Sequence, residues 1–449
     1  MAWRNEKASE QAAEAVSGAA VPEDELEAGK PPKPASERVP SLFEQVLEKE
    51  NLRQALRQVR RNRGAPGIDG MSVDGLSGYL KDHWQRIKVE LQDERYRPKP
   101  VKRVEIPKQD GRKRKLGIPT VVDRFIQQAI NQVLQRVFDP TFHPNSYGFR
   151  PKRSAHAAVR YAQAQVKAGW GWVVDLDLEA FFDRVNHDRL MHRLKLRIGD
   201  PVLLRLIGRF LRAGVQLGER VEPTKEGVPQ GGPLSPLLAN VVLDELDQEL
   251  TRRGHCFARY ADDCNVFVRS KSAGTRVMHS LRRYLERTLR LGVNEAKSAV
   301  DRPWNRKFLG FTLSRKDKAI KVADKAIEAL KEQVRAISVR TRGHRLIQII
   351  EELRELLLGW KAYFGIAEVQ SPLRDLDRWV RRRLRCYIWK QWNRSGYRQL
   401  RKHGVSRELA WNTAKSAHGP WRLSASPGLT IALPNRYFTD LGLPTLETR

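Results

Sequence analysis

Tyr260-Ala261-Asp262-Asp263 lies between two apolar runs, Cys256-Phe257-Ala258 before it and Val266-Phe267-Val268 after it. Two adjacent carboxylates repel each other unless a cation is held beside them. A β-hairpin whose turn presents one or both carboxylates to a divalent metal explains this pattern, because magnesium is commonly held by one or two carboxylates and substrate phosphates. The alternative is an ordinary surface turn, since aspartate is a common turn former.

A second pair of carboxylates lies upstream, in Trp172-Val173-Val174-Asp175-Leu176-Asp177-Leu178. The β-branched residues predict a strand, in which residues two apart face the same side. A carboxylate from this strand, placed beside the Asp262-Asp263 turn, completes a three-carboxylate cluster. Such a cluster can hold two divalent ions about 3.5–4 Å apart, as polymerases do for in-line attack on a phosphate. The alternative for either upstream aspartate is a local cap or salt bridge.

Composition points to an anionic partner. The 449 residues include 83 Lys and Arg against 52 Asp and Glu, a formal net charge of +31. So much positive charge destabilises a folded chain by self-repulsion, and nucleic acid is the leading candidate for neutralising it. The sequence has no apolar stretch long enough for a membrane span and no signal-peptide pattern, which favours the cytoplasm. Its three cysteines have no paired spacing, so neither disulfides nor zinc is expected.

The order of elements is visible in the sequence. Residues 1–40 have the composition of a disordered tail, and Ser41 is a plausible N-cap for the first helix. The apolar pattern predicts a β-hairpin from Val101–Pro107 and Leu116–Pro119, and helices at 75–92, 121–138, 154–167, 323–338, 343–364 and 372–393. The pattern changes near 312–322, where we place a domain boundary, and the chain from about 400 on is expected to be loop-rich.

The sequence resembles the reverse transcriptases encoded by bacterial group II introns, the maturase type that lacks an endonuclease. Seven blocks from about 41 to 311 carry the resemblance, in the family's order. They are Ile106-Pro107-Lys108 with Leu116-Gly117-Ile118-Pro119-Thr120, Ser146-Tyr147-Gly148-Phe149-Arg150-Pro151, Asp175-Leu176-Asp177 with Phe181-Phe182-Asp183, Gly227-Val228-Pro229-Gln230-Gly231-Gly232-Pro233-Leu234-Ser235-Pro236, Tyr260-Ala261-Asp262-Asp263, Leu291-Gly292-Val293-Asn294 with Lys297, and Phe308-Leu309-Gly310-Phe311. Leu358–Gly365 and Asp377–Arg385 resemble the family's maturase, or thumb, segment.

The resemblance implies a metal site. It assigns two Mg²⁺ ions to Asp177, Asp262 and Asp263 as the catalytic carboxylates, with Asp175 as a supporting residue. The alternative assignment, in which Asp175 rather than Asp177 binds the metal, is also open.

The resemblance also assigns the nucleotide contacts. Lys108 and Arg114 would hold the triphosphate, Phe182 would lie under the incoming sugar and exclude a 2′-hydroxyl, and Gln230 would contact nucleotide and template. Lys297 is a candidate proton donor to pyrophosphate. Each assignment has a structural alternative: core packing for Phe182, and a solvated side chain for the others. Lys115 stands where relatives often carry proline, so the triphosphate contact could instead come from Arg112, Lys113 or Lys115.

The implied architecture is the α+β right hand of polymerases, fingers and palm with an antiparallel palm sheet, followed by an all-α thumb. The expected domains are a tail at 1–40, fingers and palm with an N-terminal extension at 41–315, a thumb or maturase domain at 316–398, and a basic DNA-binding segment at 399–449. No cluster of His and Cys typical of an appended endonuclease is visible in the sequence.

The implied function is an RNA-directed DNA polymerase that binds its parent group II intron RNA, assists splicing and copies the intron into DNA. Its partners would be that RNA, an RNA template with a DNA primer, target DNA and deoxynucleoside triphosphates, in the bacterial cytoplasm and at the nucleoid during mobility. Two alternatives remain: a splicing cofactor with a vestigial polymerase site, and a host-adopted reverse transcriptase working in phage defence or DNA repair.

Overall fold

The computed structural model describes residues 39–107 and 113–447. The predicted tail at 1–40 lies almost entirely outside these residues. The helices are α1 (Leu42–Val46), α2 (Lys49–Arg61), α3 (Leu76–Gln92), α4 (Val121–Phe138), α5 (Ala155–Lys167), α6 (His187–Lys195), α7 (Pro201–Leu211), α8 (Ser235–Arg252), α9 (Lys271–Tyr284), α10 (Asp324–Ile337), α11 (Leu346–Phe364), α12 (Ser371–Trp392), α13 (Gly396–Lys402), α14 (Arg407–Lys415), α15 (Pro420–Leu423), α16 (Pro427–Ala432) and α17 (Asn435–Asp440). The strands are β1 (Val101–Pro107), β2 (Lys113–Ile118), β3 (Trp172–Asp177), β4 (Val215–Leu217), β5 (Arg220–Glu222), β6 (Cys256–Tyr260), β7 (Asp263–Val268), β8 (Ala299–Asp301), β9 (Phe311–Leu313) and β10 (Ile320–Val322).

The central feature is a four-stranded antiparallel sheet in the order β6-β7-β3-β8, the palm sheet. Its strands alternate between two apolar faces. Val174 and Leu176 of β3 belong to the large core that also contains residues of α4 and α8. Val173 faces the opposite side and packs with residues of α5 and β9. Asp175 and Asp177 lie on the same side of the sheet as Val173. Asp175 is buried there, whereas Asp177, at the end of the strand, is partly exposed.

The remaining strands form smaller sheets. β1 and β2 are the predicted hairpin, with Ile106 opposite Arg114, and they continue into a sheet of order β2-β1-β4-β5. β9 and β10 form a two-stranded hairpin after the palm. Ser41 caps α1 as predicted, accepting from the backbone of Glu44 in a capping box, and α4 spans the predicted 121–138.

The C-terminal region is helical, which confirms the predicted α+β class with an antiparallel palm sheet followed by a helical part. Helices α10 to α17 share their own apolar core. The prediction of a loop-rich chain from about 400 was wrong, because this stretch forms the short helices α13 to α17. Ser406 caps α14 and Ser426 caps α16, and proline occupies the first turn of α15 and α16. Helices of four to nine residues are too short to show apolar periodicity, which is why the pattern looked irregular.

Bilayer crossing requires a long, apolar helix, and none of the helices in the described part of the chain meets that requirement.

Candidate active site on the palm sheet

Asp177 and Asp263 lie directly opposite each other on neighbouring strands. In the antiparallel pairing of β3 with β7, Asp177 is the Cα partner of Asp263, and Asp175 is the partner of Asn265. Asp262 lies in the turn before β7, directly after Ala261, whose φ of 57° is left-handed. Two stretches separated by about 85 residues therefore bring carboxylates to one end of the sheet.

These carboxylates influence one another electrostatically. Burial raises the pKa of Asp263 well above its usual value, and the negative charges of Asp175, Asp262 and Asp177 raise it further. Burial also raises the pKa of Asp175, although the guanidinium of Arg306 opposes this shift. The site thus concentrates negative charge that the protein only partly neutralises.

The chemistry of the donor set suits a hard divalent cation, since its donors are carboxylate oxygens. Within the ranges that the structure describes, no three acidic, His or Cys side chains are arranged as a complete ligand set. A cation here would need further oxygens from water or from substrate phosphates, which is the usual way that magnesium is held.

Arg306 links two parts of the site. Its Nη2 lies 2.6 Å and its Nε 2.8 Å from Oδ2 of Asp175, and its guanidinium also donates to the carbonyl of Lys297. Lys297 in turn places its Nζ 3.5 Å from Oδ2 of Asp177. Asp175 is therefore engaged by a guanidinium, whereas Asp177, which is about 40% exposed, faces a single lysine.

Asp177 is also held through its backbone. Its N–H donates to Oγ of Ser298 at 3.0 Å, and its carbonyl accepts from the N–H of Asn294 at 2.8 Å. Sequence reasoning placed Asn294 in a family block without a role and missed Ser298, because a serine 121 residues away gives no local signal.

The buried side chain of Arg259 holds the backbone of the Asp262-Asp263 turn. This residue was not identified from the sequence. Its side chain is fully buried, and it forms two hydrogen bonds to the carboxylate of Asp247, at 2.7 and 2.5 Å. It also donates to Ser146 Oγ at 2.7 Å, Asn240 Oδ1 at 3.0 Å and the carbonyl of Ala261 at 2.9 Å. An arginine inside an otherwise apolar strand was the available signal, because a buried charge requires a partner.

The Ser146-Tyr147-Gly148 block lies against the same turn. The N–H of Tyr147 donates to the carbonyl of Arg259 at 2.8 Å. A Cβ built on Gly148 would lie 2.3 Å from the backbone nitrogen of Ala261. Only glycine therefore fits at position 148, since the turn backbone occupies the space that a side chain needs.

The Pro229-Gln230-Gly231 turn packs against Gly117 of the fingers hairpin. The N–H of Gly117, on β2, donates to the carbonyl of Gln230 at 2.8 Å. A Cβ on Gly231, whose φ is 130°, would lie 2.6 Å from the carbonyl oxygen of Gly117.

On its other side the same loop contacts Phe182. The N–H of Val228 donates to the carbonyl of Phe182 at 2.7 Å. The Phe182 ring is 8% exposed and packs edge-on against Phe181, with centroids 5.2 Å apart. The loop from Val228 to Gly231 therefore contacts Phe182 through Val228 and the fingers hairpin through Gln230, and the ring of Phe182 lies mostly in the core.

The residues predicted to contact the triphosphate fall in the stretch of sequence that runs from β1 to β2. Lys108 and the alternative Arg112 lie outside the described residues. The backbone of Arg114 lies in β2, but its side chain is outside the described part. Lys113, another alternative, pairs with Glu105 at 2.8 Å.

The C-terminal helices carry tryptophans covered by guanidinium groups. Arg335 lies 5.5 Å and Arg383 5.9 Å from the ring of Trp379, and Arg382 lies 4.2 Å from the ring of Trp421. Trp360 and Phe364 of α11 are partly buried and pack against the core of the C-terminal helices.

Comparison with known proteins agrees with this architecture. A family of reverse transcriptases (RNA-dependent DNA polymerases) matches residues 106–313, and the group II intron maturase-specific domain matches residues 327–404. Protein YkfC of Escherichia coli (strain K12) is 33% identical over 304 residues, which cover 59% of this chain and 80% of YkfC.

The group II intron-encoded protein LtrA of Lactococcus lactis subsp. cremoris is 36% identical over 208 residues. That alignment covers 46% of this chain and 34% of LtrA, so the chain matches about a third of that relative. Among solved structures, a partial Cas6-RT-Cas1–Cas2 complex shares 25% identity with a TM-score of 0.36, over 55% of this chain and 43% of that one. The chain belongs to the group II intron-encoded reverse transcriptase and maturase family of RNA-directed DNA polymerases.

Proposed function

We propose that this protein copies RNA into DNA, binds its parent group II intron RNA, assists splicing of that intron and copies it during intron mobility. The observation that carries the polymerase part is the pairing of Asp177 with Asp263 across β3 and β7, with Asp262 in the adjoining turn. The maturase match at 327–404 supports the intron partner.

In this proposal Asp177, Asp262 and Asp263 hold the metal, and Asp175 supports them through Arg306. Two bound magnesium ions supply activation of the 3′-hydroxyl and neutralisation of charge on the leaving pyrophosphate. The preference for Asp177 over Asp175 rests on the contacts: Arg306 binds Asp175 at 2.6 Å, whereas Lys297 lies 3.5 Å from Asp177.

Other side chains would bind and orient the nucleotide. Gln230 contacts the incoming nucleotide and template, and Phe182 lies under the sugar. Lys108 and Arg114 bind the triphosphate, because charge-assisted hydrogen bonds to phosphate need such donors. Lys297, beside Asp177, donates a proton to pyrophosphate.

The proposed domains are the fingers and palm at 41–315, the thumb at 316–398 and a DNA-binding segment at 399–449. Target DNA, the RNA template with its DNA primer and the deoxynucleoside triphosphates are the further partners. The proposed location is the bacterial cytoplasm, with the nucleoid as the site of mobility.

Sequencing of the RNA that copurifies with the protein from its native cell tests the intron partner. We expect one folded intron to dominate the recovered RNA. A random RNA mixture would remove the intron-specific part of the proposal and leave only the polymerase part.

RNA binding is expected to weaken steeply with salt. With a net charge of +31, the protein should release many counterions on binding, and six to ten phosphate contacts correspond to a loss of roughly 10³- to 10⁵-fold between 50 and 200 mM salt. Filter binding of intron RNA over this range measures the slope. A change of less than about tenfold would contradict electrostatic binding of the phosphates.

Substituting Gly148 with alanine is expected to lower primer extension by about 100-fold without unfolding the protein. The new Cβ would displace the backbone of Ala261, and a shift of about 1 Å at reacting groups can cost this much. Gly78→Ala is the matched control: no atom lies within 4 Å of a Cβ built on Gly78, and alanine favours a helix interior. Equal extension rates for the two variants would show that the close approach at Gly148 has no effect on the site.

A further inference from the structure

Three tryptophans lie at the end of the palm sheet opposite the carboxylates. Trp172 begins β3 and Asp177 ends it, which separates them by about 17 Å at the usual rise of a strand. Trp170 lies just before β3, and Trp304 follows β8, whose residue Asp301 pairs with Val173. All three indoles are half-buried.

Each of these indoles faces a cation. The guanidinium carbon of Arg302 lies 4.3 Å from the ring centroid of Trp172 and 5.5 Å from that of Trp304. The Nζ of Lys318 lies 4.2 Å from the Trp304 centroid, so Arg302 lies near both Trp172 and Trp304, and Trp304 also has Lys318 beside it.

The third indole has its own cation, since Arg269 lies 5.1 Å from the centroid of Trp170. We call these six residues the palm-end surface. Its members are Trp170, Trp172, Arg269, Arg302, Trp304 and Lys318.

The neighbouring acids are engaged elsewhere. Asp301 accepts from the backbone N–H of Arg302 at 2.6 Å and from the Asn305 amide at 3.0 Å. Asp317 accepts from the hydroxyl of Ser314 and from the N–H of Ala319 at 3.2 Å. These hydrogen bonds also lower the pKa of Asp317. The two carboxylates therefore stabilise the local loops through these hydrogen bonds.

We propose that the palm-end surface binds an unpaired stretch of RNA, an inference that rests on the proposed function because it assumes an RNA partner. Exposed bases stack on indole and guanidinium planes, and single-stranded RNA is the form that offers them. Arg269 and Lys318 supply charge for the phosphates. An acidic protein would satisfy the cations but leave the half-exposed indoles without a matching partner, so RNA fits the combination better.

The location separates this surface from the catalytic one. It lies about a strand's length from Asp177, beyond the reach of a nucleotide bound there. RNA held here is therefore RNA other than the base pair being extended, such as an unpaired loop of the same folded molecule.

Four variants test the stacking and the charge separately. Trp304→Ala removes one stacking plane and Trp304→Phe retains an aromatic face. Arg269→Glu/Lys318→Glu reverses two charges, and Arg86→Glu/Arg252→Glu is its control, because Arg86 and Arg252 are exposed arginines on α3 and α8 with ion-pair partners of their own. The probes are an unstructured oligoribonucleotide and an RNA duplex of equal length, and thermal melting checks that each variant is folded.

For the unstructured RNA we expect Trp304→Ala to weaken binding by roughly 5- to 150-fold, the effect of one stacked base, and Trp304→Phe to restore most of it. The reversed pair should make the salt slope less negative by about 1.4, while the control pair changes it less. Extension of a short primed homopolymer should stay unchanged in these variants.

Equal binding of the unstructured RNA by the wild type, Trp304→Ala and the reversed pair would overturn the proposal. An effect of charge reversal alone, with Trp304→Ala silent, would also overturn it, because the surface would then contact phosphates without stacking on bases. If Trp304→Ala does not fold, Trp170→Ala takes its place as the stacking variant, with the same expected loss and the same overturning result. Because the probe is not the intron, failure of the intron-specific proposal would appear separately, in the copurification experiment.

Discussion

Substituting Asp262 with alanine is expected to lower primer extension by about a thousandfold or more while leaving affinity for intron RNA within about twofold. A metal held at developing charge contributes several kcal/mol to the barrier, and each 1.36 kcal/mol is a factor of ten. Asp262 lies in the turn beside the Asp177–Asp263 pair and adds to the charge that raises the pKa of Asp263. Extension of a DNA primer on a ribonucleotide template measures the rate.

A second readout is the thermal stability gained with magnesium, since a ligand that binds only the native state raises the melting temperature. We expect this gain in the wild type and a smaller one in Asp262→Ala. Asp93→Ala is the control, because Asp93 is a surface carboxylate paired with its neighbour Arg95. Extension by Asp262→Ala within tenfold of the wild type would exclude Asp262 from the metal site, whereas a wild type that does not extend primers would reopen the splicing-only alternative.

The same assay decides between the two aspartates of β3. Asp177→Asn is expected to lose activity as completely as Asp262→Ala does. Asp175→Asn should lose less, because its partner is Arg306 and its effect on the metal is transmitted through that contact. The reverse order would make Asp175 the ligand.

The spacing of aspartates predicted much of this site because it follows from local rules. Residues two apart on a strand share a face, so Asp175 and Asp177 could be placed on one side of β3 from the sequence alone. Helix α4 was predicted to the residue, since eighteen positions give the apolar pattern enough turns to be recognised. The other helices with predicted bounds differ from those bounds by one to three residues at one end or both.

What could not be predicted depends on contacts distant in sequence. Ser298 is hydrogen-bonded to Asp177, 121 residues away, and Arg306 to Asp175, 131 residues away. No local sequence pattern predicts either contact. Arg259 reaches Ser146 across 113 residues, although its position in an apolar strand indicated that some partner had to exist. The short helices after α12 were missed for a different reason, because their length hides their period.

Arg259→Met is expected to destabilise the protein by about 3–5 kcal/mol and to abolish primer extension. The substitution leaves Asp247 buried with no cation, and breaking a buried ion pair by removing one partner costs about this much. Asp247 and Arg259 are both fully inaccessible to solvent, so water cannot replace the lost bonds. The midpoint of urea unfolding measures the effect, and an unchanged midpoint would contradict it.

The double variant Arg259→Met/Asp247→Leu separates the two tasks of this arginine. Replacing a buried pair with apolar residues of similar volume is often neutral, so most of the lost stability should return. Primer extension should stay low, because the carbonyl of Ala261 still lacks the donor that Arg259 supplies at 2.9 Å. Recovery of both properties together would mean that the arginine stabilises the palm without positioning the Asp262-Asp263 turn. Recovery of stability alone would show that the ion pair exists to hold that turn in place, since the core tolerates its loss and the carboxylates do not.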